Sequence, residues 1–500
     1  MLKSMNAMDI MMLAMETPET PMHVAGVQIL RKPRGAGRDY VRRLRERLMS
    51  IPAGGAPFNY RYSAGGSLPG IPGWEVLDEV DLRDHVFHHA LPWPGTEKDL
   101  FELVSRLNYG VLDRSRPMWE HHLIEGLTGN RYATFSRIHH AYIDGQWGIR
   151  LYRETTSADH DERGLPPFWA VKMADRTGAE SKEPSEPHAE PGRGWLERGR
   201  AGVSDGVEVV SELGTAFGRV IESFRHPTDG GLAPIYRAPD CVLNGRLTAR
   251  RELGVTRLAL ARLKRLARAQ GATINDVVMA ICAGALRRYL LGRDALPEQA
   301  LVANMVVAVS RASGKTGGNA IASAQVSLAT HLADPIRRFE AVRSSSQHAK
   351  ELIHGMSSPA ALNVYMGLVG LPFMLFTILG RAERSHAQNV VISNVVGLRE
   401  KRYSNGALIE ADYPMSLLAP GEAMNITVIS RRNMLDVAVL VCPDLAPDPH
   451  SVGAAIGESL DELERALGRK RRPVAAAQRS TGRRPQRRAT ARRRSSERGG

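Results

Sequence analysis

The sequence predicts an α/β protein built as two lobes, and three observations predict it. Strand-like apolar runs alternate with amphipathic helical runs over residues 1–155, and the same alternation returns over residues 243–468. Between them the composition shifts to Pro, Glu, Gly and Ser. A chain of 500 residues is long for one domain and sufficient for two, each with its own core.

Taken in order, "VAGVQIL" reads as a strand, while "YVRRLRERL" and "EKDLFELVSRLN" read as helices. "WEHHLIEGL" and "YATFSRIHH", joined by "TGN", read as a strand pair closing the first lobe. Residues 156–242 are expected to be a flexible crossover linker carrying a helix. In the second lobe the spacing predicts helices at "TRLALARLKRLARAQ" and "TINDVVMAICAGALRRYL", then strands at "LVANMVVAV", "NVVISNV", "MNITVIS" and "MLDVAVLV". "SVGAAIGESLDELERALG" predicts the last helix, and residues 469–500 hold almost nothing to bury and are expected to be a disordered basic tail.

Charge and cysteine content narrow the function classes. Of the net charge of +14, the segment 469–500 carries +12, from twelve Arg and Lys470 against Glu497. The folded part is left near +2, so it makes no general electrostatic demand for nucleic acid. Cys241, Cys282 and Cys442 are odd in number and far apart, which argues against a disulfide framework or a zinc site and points to a reducing cytoplasm. Acidic residues interrupt the apolar N-terminal patch and no small-residue cleavage site follows, so no signal peptide is expected. Residues 355–380 contain no charge and are long enough to span a bilayer, which takes roughly 20 residues. Asn363, Gly367, Gly370 and Pro372 interrupt that run, so buried or interfacial helices are expected there.

Two familiar motifs fail on context. "GVSDG" at 202–206 has the spacing of a hydrolase nucleophile, yet a Pro- and Glu-rich stretch precedes it where a strand is needed, and Ser204 is expected to be a helix N-cap. "SGKT" at 313–316 lacks the glycine five residues before Gly314 that a phosphate-binding loop requires; Val309 stands there.

"RIHHAYIDGQWG" at 137–148 survives the same test. If the strand stays extended to its end, His139 and His140 point to opposite faces and only one enters a given cleft. An imidazole suits proton transfer at neutral pH. Asp144 lies where a carboxylate can brace a turn, and Gly145 permits a close backbone approach. The plainer alternative is a strand-to-helix turn capped by Asp144, and the residues alone leave the two readings even.

"HHAYIDG" resembles the HHxxxDG motif of the CoA-dependent acyltransferase superfamily, which includes chloramphenicol acetyltransferase-like enzymes and peptide-synthetase condensation domains. Further segments resemble the bacterial wax ester synthase/diacylglycerol acyltransferase family, in order over about 460 residues: "PETPMHVAGVQI", "LRDHVFHHALPWPG", "LDRSRPMWEHHLIEGL", "INDVVMAICAGALRRYL", "VISNVVG" and "YPMSLLAPGEAMNITVIS". The resemblance implies two chloramphenicol-acetyltransferase-like lobes with an active-site tunnel between them and His140 as general base. It also implies His139 shaping the site, Asp144 as a structural brace, acyl-CoA as co-substrate, and neither metal nor bound cofactor. The acceptor it implies is diacylglycerol or a fatty alcohol, and the location cytoplasmic, peripheral to the inner membrane or lipid droplets. Asn275, Ser393 and Asn394 are candidates for stabilising the oxyanion; for Asn275 and Asp276, capping of the helix after Thr273 is the competing role.

The chain departs from the family pattern at three places. "PMW" replaces "PLW", "SNVVGL" lacks both prolines of "SNVPGP", and Trp147 stands where small residues are common, a position suited to narrowing a channel. Two other readings stay open at this stage: a lipid-binding or lipid-body protein that keeps the fold with weak turnover, and an acyltransferase for a different hydroxylated acceptor.

Overall fold

The computed structural model describes residues 1–66, 70–143, 145–172, 194–225, 228–309, 320–356 and 358–470. In chain order the first part runs β1 (Leu2–Ser4), α1 (Ala7–Met15), β2 (His23–Arg31), α2 (Tyr40–Met49), β3 (Tyr60–Ser63), β4 (Gly73–Val76) and β5 (Val86–Ala90). It continues with α3 (Glu97–Leu107), β6 (Trp119–Glu125), β7 (Arg131–His139), α4 (Gly145–Glu154) and α5 (Gly194–Arg225). The second part runs β8 (Glu252–Ala259), α6 (Leu260–Gln270), α7 (Ile274–Leu291), β9 (Val302–Val309), β10 (Ala320–Ser327), α8 (Pro335–His354) and α9 (Pro359–Ile378). It closes with β11 (Val390–Val396), β12 (Tyr403–Ser404), β13 (Ala407–Met415), β14 (Met424–Arg431), β15 (Met434–Val441) and α10 (Pro449–Lys470).

Two six-stranded sheets organise these elements, in the orders β12-β13-β2-β7-β6-β5 and β10-β9-β11-β14-β15-β8, with a small third sheet β1-β4-β3. The α/β class holds, but the chain does not keep its lobes apart. β13, expected in the second lobe of residues 243–468, crosses over and pairs antiparallel with β2 of the first sheet. Ile409, Ala411, Tyr413 and Met415 alternate with Glu410, Asp412 and Pro414, but a proline inside such a run argues against a strand in a local reading. Pro414 is tolerated because β12 pairs only with Ala407 and Leu408, leaving Pro414 with a strand neighbour on one side.

Both faces of the first sheet are consequently buried. Leu30, Leu123 and Tyr132 pack among the first lobe's own helices and aromatics, while Val27, Ile29, Ala133 and Phe135 join a continuous core with the second lobe. Phe101 of α3 meets Tyr413 of β13 edge-on at 5.7 Å. Buried charge accompanies this apolar seam. Asp436 on β15 is held by Arg257 at 2.9 Å and Arg431 at 3.3 Å, and its second oxygen accepts the Asp412 amide at 3.1 Å.

Several expectations change at element ends. "TRLA" belongs to strand β8, so the helix after it starts at Leu260. Ser204 lies ten residues inside α5 and is not its N-cap, since the helix has already begun at Gly194. The linker 156–242 is not flexible where it leaves the first lobe. Trp169 is fully buried, stacks on Trp119 at 5.2 Å and donates its indole N–H to the Ile51 carbonyl, because two adjacent aromatics gain more from burial than the Pro-rich setting foretells. Residues 173–193, the "SGKT" segment and residues 471–500 lie outside the described residues, and α10 extends through Arg469 and Lys470.

Within the uncharged run 355–380, Pro359–Ile378 form the single helix α9, with Pro372 inside it. Tyr236 supplies the repair. Its hydroxyl donates to the Val369 carbonyl and accepts the Phe373 amide at 3.2 Å, entering the rung that those two groups would otherwise close themselves.

Asp412 yields a stability prediction. Burial lifts its carboxyl from 3.8 to about 6, against the pull of Arg431 and the Gln28 amide, and Asp436 pushes the same way as burial. Between about pH 4 and 6 the folded chain keeps a proton that the unfolded chain has released, so this group's contribution to stability falls as pH rises through that window. Asp412→Asn removes the titration. The urea-unfolding free energy of the variant relative to the parent is expected to rise by up to about 3 kcal/mol from pH 4 to 7; a flat difference would contradict the assignment.

Candidate active site

β7 delivers "HH" to the end of the first sheet, where His139 pairs across the ladder with His23 of β2. The strand ends at His139, which is fully buried, and His140 lies in the turn beyond it, partly exposed, so burial and not strand alternation distinguishes the two rings. The His139 ring is fixed from both sides. Its Nδ1 accepts the Ala141 amide at 3.1 Å, which leaves the proton on Nε2, 3.4 Å from Glu16 Oε1. That contact is close enough for electrostatic attraction but lacks hydrogen-bond alignment.

Glu16 is the residue that sequence reasoning missed. Burial pushes its carboxyl up, yet the His139 ring, the Met22 amide and Arg114 outweigh burial and hold it down to about 2. Met22 N–H donates to Oε1 at 2.9 Å, and Arg114 Nη2 donates to Oε2 at 3.0 Å and to the Leu13 carbonyl at 2.8 Å. The Met22 carbonyl in turn accepts the His140 amide at 2.8 Å, so one residue ties the buried carboxylate to the backbone of the second histidine. An acid closing the apolar N-terminal run, just before "TPETPMHV", was the available signal. His23 adds a third buried imidazole, hydrogen-bonded to Asn108 Oδ1 at 2.9 Å and driven down to about 3 by burial and by Arg137.

The turn after the histidines is built from buried Ala141, Tyr142 and Ile143. Tyr142 Oη donates to the Tyr60 carbonyl and accepts the Met118 amide at 3.1 Å. Met118 thus occupies the middle of "PMW" as a buried residue whose carbonyl also accepts the His139 amide. Asp144 lies outside the described residues, and Gly145 opens α4. Trp147 packs partly buried against the first lobe's core, with the Arg150 guanidinium 5.2 Å over its ring.

In the second lobe the candidates separate by role. Thr273 and Asp276 form a capping box at the start of α7, and Asp276 Oδ1 also accepts Lys350 Nζ at 3.1 Å. Burial would raise that carboxyl, but the Thr273 contacts and Lys350 prevail and lower it. Asn275 does not cap; its Oδ1 accepts Asn394 Nδ2 at 3.1 Å, so these two candidates are brought together. Ser393 is turned to the opposite face of β11. In register with Thr427, and beside Asn425, it belongs to the face that also carries Asp436 and is turned toward the first lobe. The loop that has lost both prolines is held by packing instead: a Cβ on Gly397 would lie 2.5 Å from the Ser430 carbonyl, and Leu398 accepts the Arg432 amide at 3.2 Å. Among the described residues one group has metal-like spacing, the exposed Asp159, His160 and Asp161, and it belongs to no part of this site.

Residues 5–278 match the wax ester synthase/diacylglycerol acyltransferase catalytic domain, and residues 317–464 match the C-terminal domain of the same family. The chain belongs to the wax ester synthase/diacylglycerol acyltransferase family. It is therefore an acyltransferase, as the resemblance predicts. The chain is 36% identical over 468 residues to a putative diacylglycerol O-acyltransferase of Mycobacterium tuberculosis, covering 93% of this chain and all of that one. Among solved structures, the wax ester synthase/diacylglycerol acyltransferase from Marinobacter aquaeolei VT8 superposes with a TM-score of 0.73 at 30% identity, over 93% of this chain and 100% of that one. The first condensation domain of the calcium-dependent antibiotic synthetase shares the fold alone, with a TM-score of 0.55 at 15% identity over 93% and 96% of the two chains. Both lobes of the family fold are present, so the altered "SNVVGL" loop is a variation within the family.

Removing Glu16 tests its part in the site. Glu16→Ala leaves the Met22 amide without its acceptor and the partly exposed Arg114 without its carboxylate, and is expected to lower stability by about 1–3 kcal/mol in urea unfolding. A loss below about 1 kcal/mol would make the pair peripheral.

Proposed function

We propose that the protein transfers a long-chain acyl group from acyl-CoA to the hydroxyl of diacylglycerol or a fatty alcohol, giving triacylglycerol or wax ester, with His140 as general base. The observation that carries this reading is the contrast between two adjacent imidazoles, one immobilised in the core and the other partly exposed at the strand end with its backbone tied to Met22. A base must reach a substrate proton, and the partial exposure of His140 beside the buried His139 supports that role.

In this scheme the His140 imidazole takes the hydroxyl proton as the acceptor oxygen bonds to the thioester carbonyl carbon. The carbonyl π electrons move to oxygen, forming a tetrahedral oxyanion. Its collapse breaks the C–S bond and expels CoA thiolate, which takes the proton from the imidazolium. Ester and CoA result, and no acyl-enzyme intermediate is required. Amide or hydroxyl donors from the second lobe would serve the oxyanion. Ser393 and Asn394 face opposite sides of β11, so only one of them can serve a given pocket, with Asn275 aligned with Asn394. Asp144 and Gly145 take the role of shaping the turn behind the base.

The lipid nature of both substrates suits a peripheral, cytoplasmic enzyme working at a membrane or lipid-droplet surface. The basic segment 469–500 supports this, since each Lys or Arg near an anionic surface contributes about 1 kcal/mol. Nucleic acid is not among the proposed partners.

Purified protein supplied with palmitoyl-CoA and either hexadecanol or diolein is expected to release CoA and form ester, and His140→Ala to reduce turnover by about 10²–10⁴-fold. Undiminished ester formation in the variant would refute the general-base role. Trp147→Ala is expected to shift the acyl or alcohol chain-length optimum toward longer chains, read from competing substrates in one assay; an unchanged profile would remove Trp147 from the channel.

A further inference from the structure

α9 presents an apolar stripe to solvent. Val364, Leu368, Leu371, Leu375 and Ile378 recur at helical spacing on one side, Leu368 and Leu375 each 51% exposed and Ile378 and the following Leu379 each 70% exposed. From Val364 to Leu379 the stripe runs about 22 Å. Residues 355–380 hold no charge, and Asn363 is the strongest polar interruption on the exposed side. Leucines spaced this way would ordinarily face a core.

A second helix widens the stripe. Glu212 of α5 accepts the Ser358 amide at the start of α9, Phe217 meets Tyr365 at 5.8 Å, and Arg237 lies 5.5 Å over Phe224 beside Tyr236, which reaches Val369 and Phe373. The two helices therefore run side by side in the same direction, and α5 adds exposed Val210, Ile221 and Phe224. Their C-terminal ends fall together and carry exposed Arg225, Arg237, Arg381 and Arg384, set among Glu222, Asp240 and Glu383. The buried side of α9, with Ala361, Leu362 and Tyr365, and its splint to Tyr236 hold it along the fold's flank, so it is oriented to lie on a surface and not to cross one.

We propose that the joint face of α9 and α5 seats the enzyme on an anionic lipid surface, with the leucine stripe entering the acyl boundary and the arginines at its end meeting lipid phosphates. This deepens the acyltransferase reading above, whose substrates are lipid-borne. An uncharged helical face edged by guanidinium groups matches an interface that is apolar inside and anionic outside. The face is distinct from the basic segment 469–500, whose attraction is purely electrostatic.

The test is flotation of the full-length chain with phosphatidylcholine vesicles, with or without about a third phosphatidylglycerol, at 0.1 M and 0.5 M salt. At the higher salt the Debye length shrinks to about 4 Å, suppressing the contribution of the basic tail. The parent is expected to float with anionic vesicles at both salts. Leu368→Glu/Leu371→Glu/Leu375→Glu is expected to lower the bound fraction at least tenfold at 0.5 M salt, and the milder Leu→Ser triple at least threefold. Turnover of a short-chain acyl-CoA with 1-hexanol in solution should stay within twofold of the parent for both. Arg225→Gln/Arg381→Gln/Arg384→Gln is expected to lose binding to anionic vesicles only. Unchanged flotation of both leucine triples overturns the proposal. So does a parent dimer that the same substitutions turn into monomers without altering flotation, which would assign the face to a second copy of the chain. A parent that floats but turns over no substrate would sink the acyltransferase reading and leave the surface assignment standing.

Discussion

The joint between the lobes rests on charge buried where β13 crosses into the first sheet. β13 carries a register shift between Ile409 and Ala411, and such a bulge leaves backbone carbonyls outside the ladder. Arginines from the other sheet meet them. Arg431 donates to the Ile409 carbonyl at 2.8 Å and to that of Glu410, and Arg257 donates to Glu410 at 2.8 Å. Both guanidinium groups are balanced by Asp436, which is wholly buried. A charge at that depth is tolerable only with its partners in place, so bulge, arginines and carboxylate stand or fall together. The arrangement sets how one sheet is placed against the other.

A related device recurs at the histidine end of β7. The buried Glu16 carboxylate pairs with the partly exposed Arg114 and also accepts the amide of Met22, whose carbonyl holds the His140 backbone. Because His139 is immobilised by Ala141 and Glu16, the chain entering the next turn starts from a fixed point. A general base gains from such a mount, since proton transfer depends on heavy-atom distances held to a few tenths of an ångström. The lipid-facing helix α9 follows related logic with a neutral group: the Tyr236 hydroxyl replaces the backbone bond that Pro372 disturbs, so a helix that the composition would break stays whole.

Much of the fold was legible because most elements bury one face against a neighbour, and that requirement imprints a period on the residues. β2, β6, β7, α3 and α7 were all readable in this way. β13 was not, since Pro414 inside the run argues against a strand and the bulge between Ile409 and Ala411 interrupts its register, although its apolar residues are buried on both sides of that bulge. The packed start of the linker was hidden for a similar reason: Trp169 sits in Pro-rich text, and only the stack on Trp119 reveals its place. At the site, the paired histidines were legible as a contiguous motif, while the end of β7 at His139 and the turn position of His140 were not. Glu16 escaped notice because its significance lies in contacts with residues nearly one hundred positions away, such as Arg114.

By itself, then, the sequence determined the α/β class, the two stretches of alternating elements, the concentration of positive charge in the final residues, the family, and the pair of histidines of which only one can be exposed. Each of these follows from local periodicity, composition or a contiguous motif. Tertiary structure alone decided that β13 belongs to the first sheet, that Asp276 caps a helix while Asn275 meets Asn394, that Glu16 stands behind His139, and that α9 shows its leucines to solvent. Those outcomes depend on which distant groups share a buried volume, where each charge must find a partner and each carbonyl a donor, and no local pattern encodes that pairing.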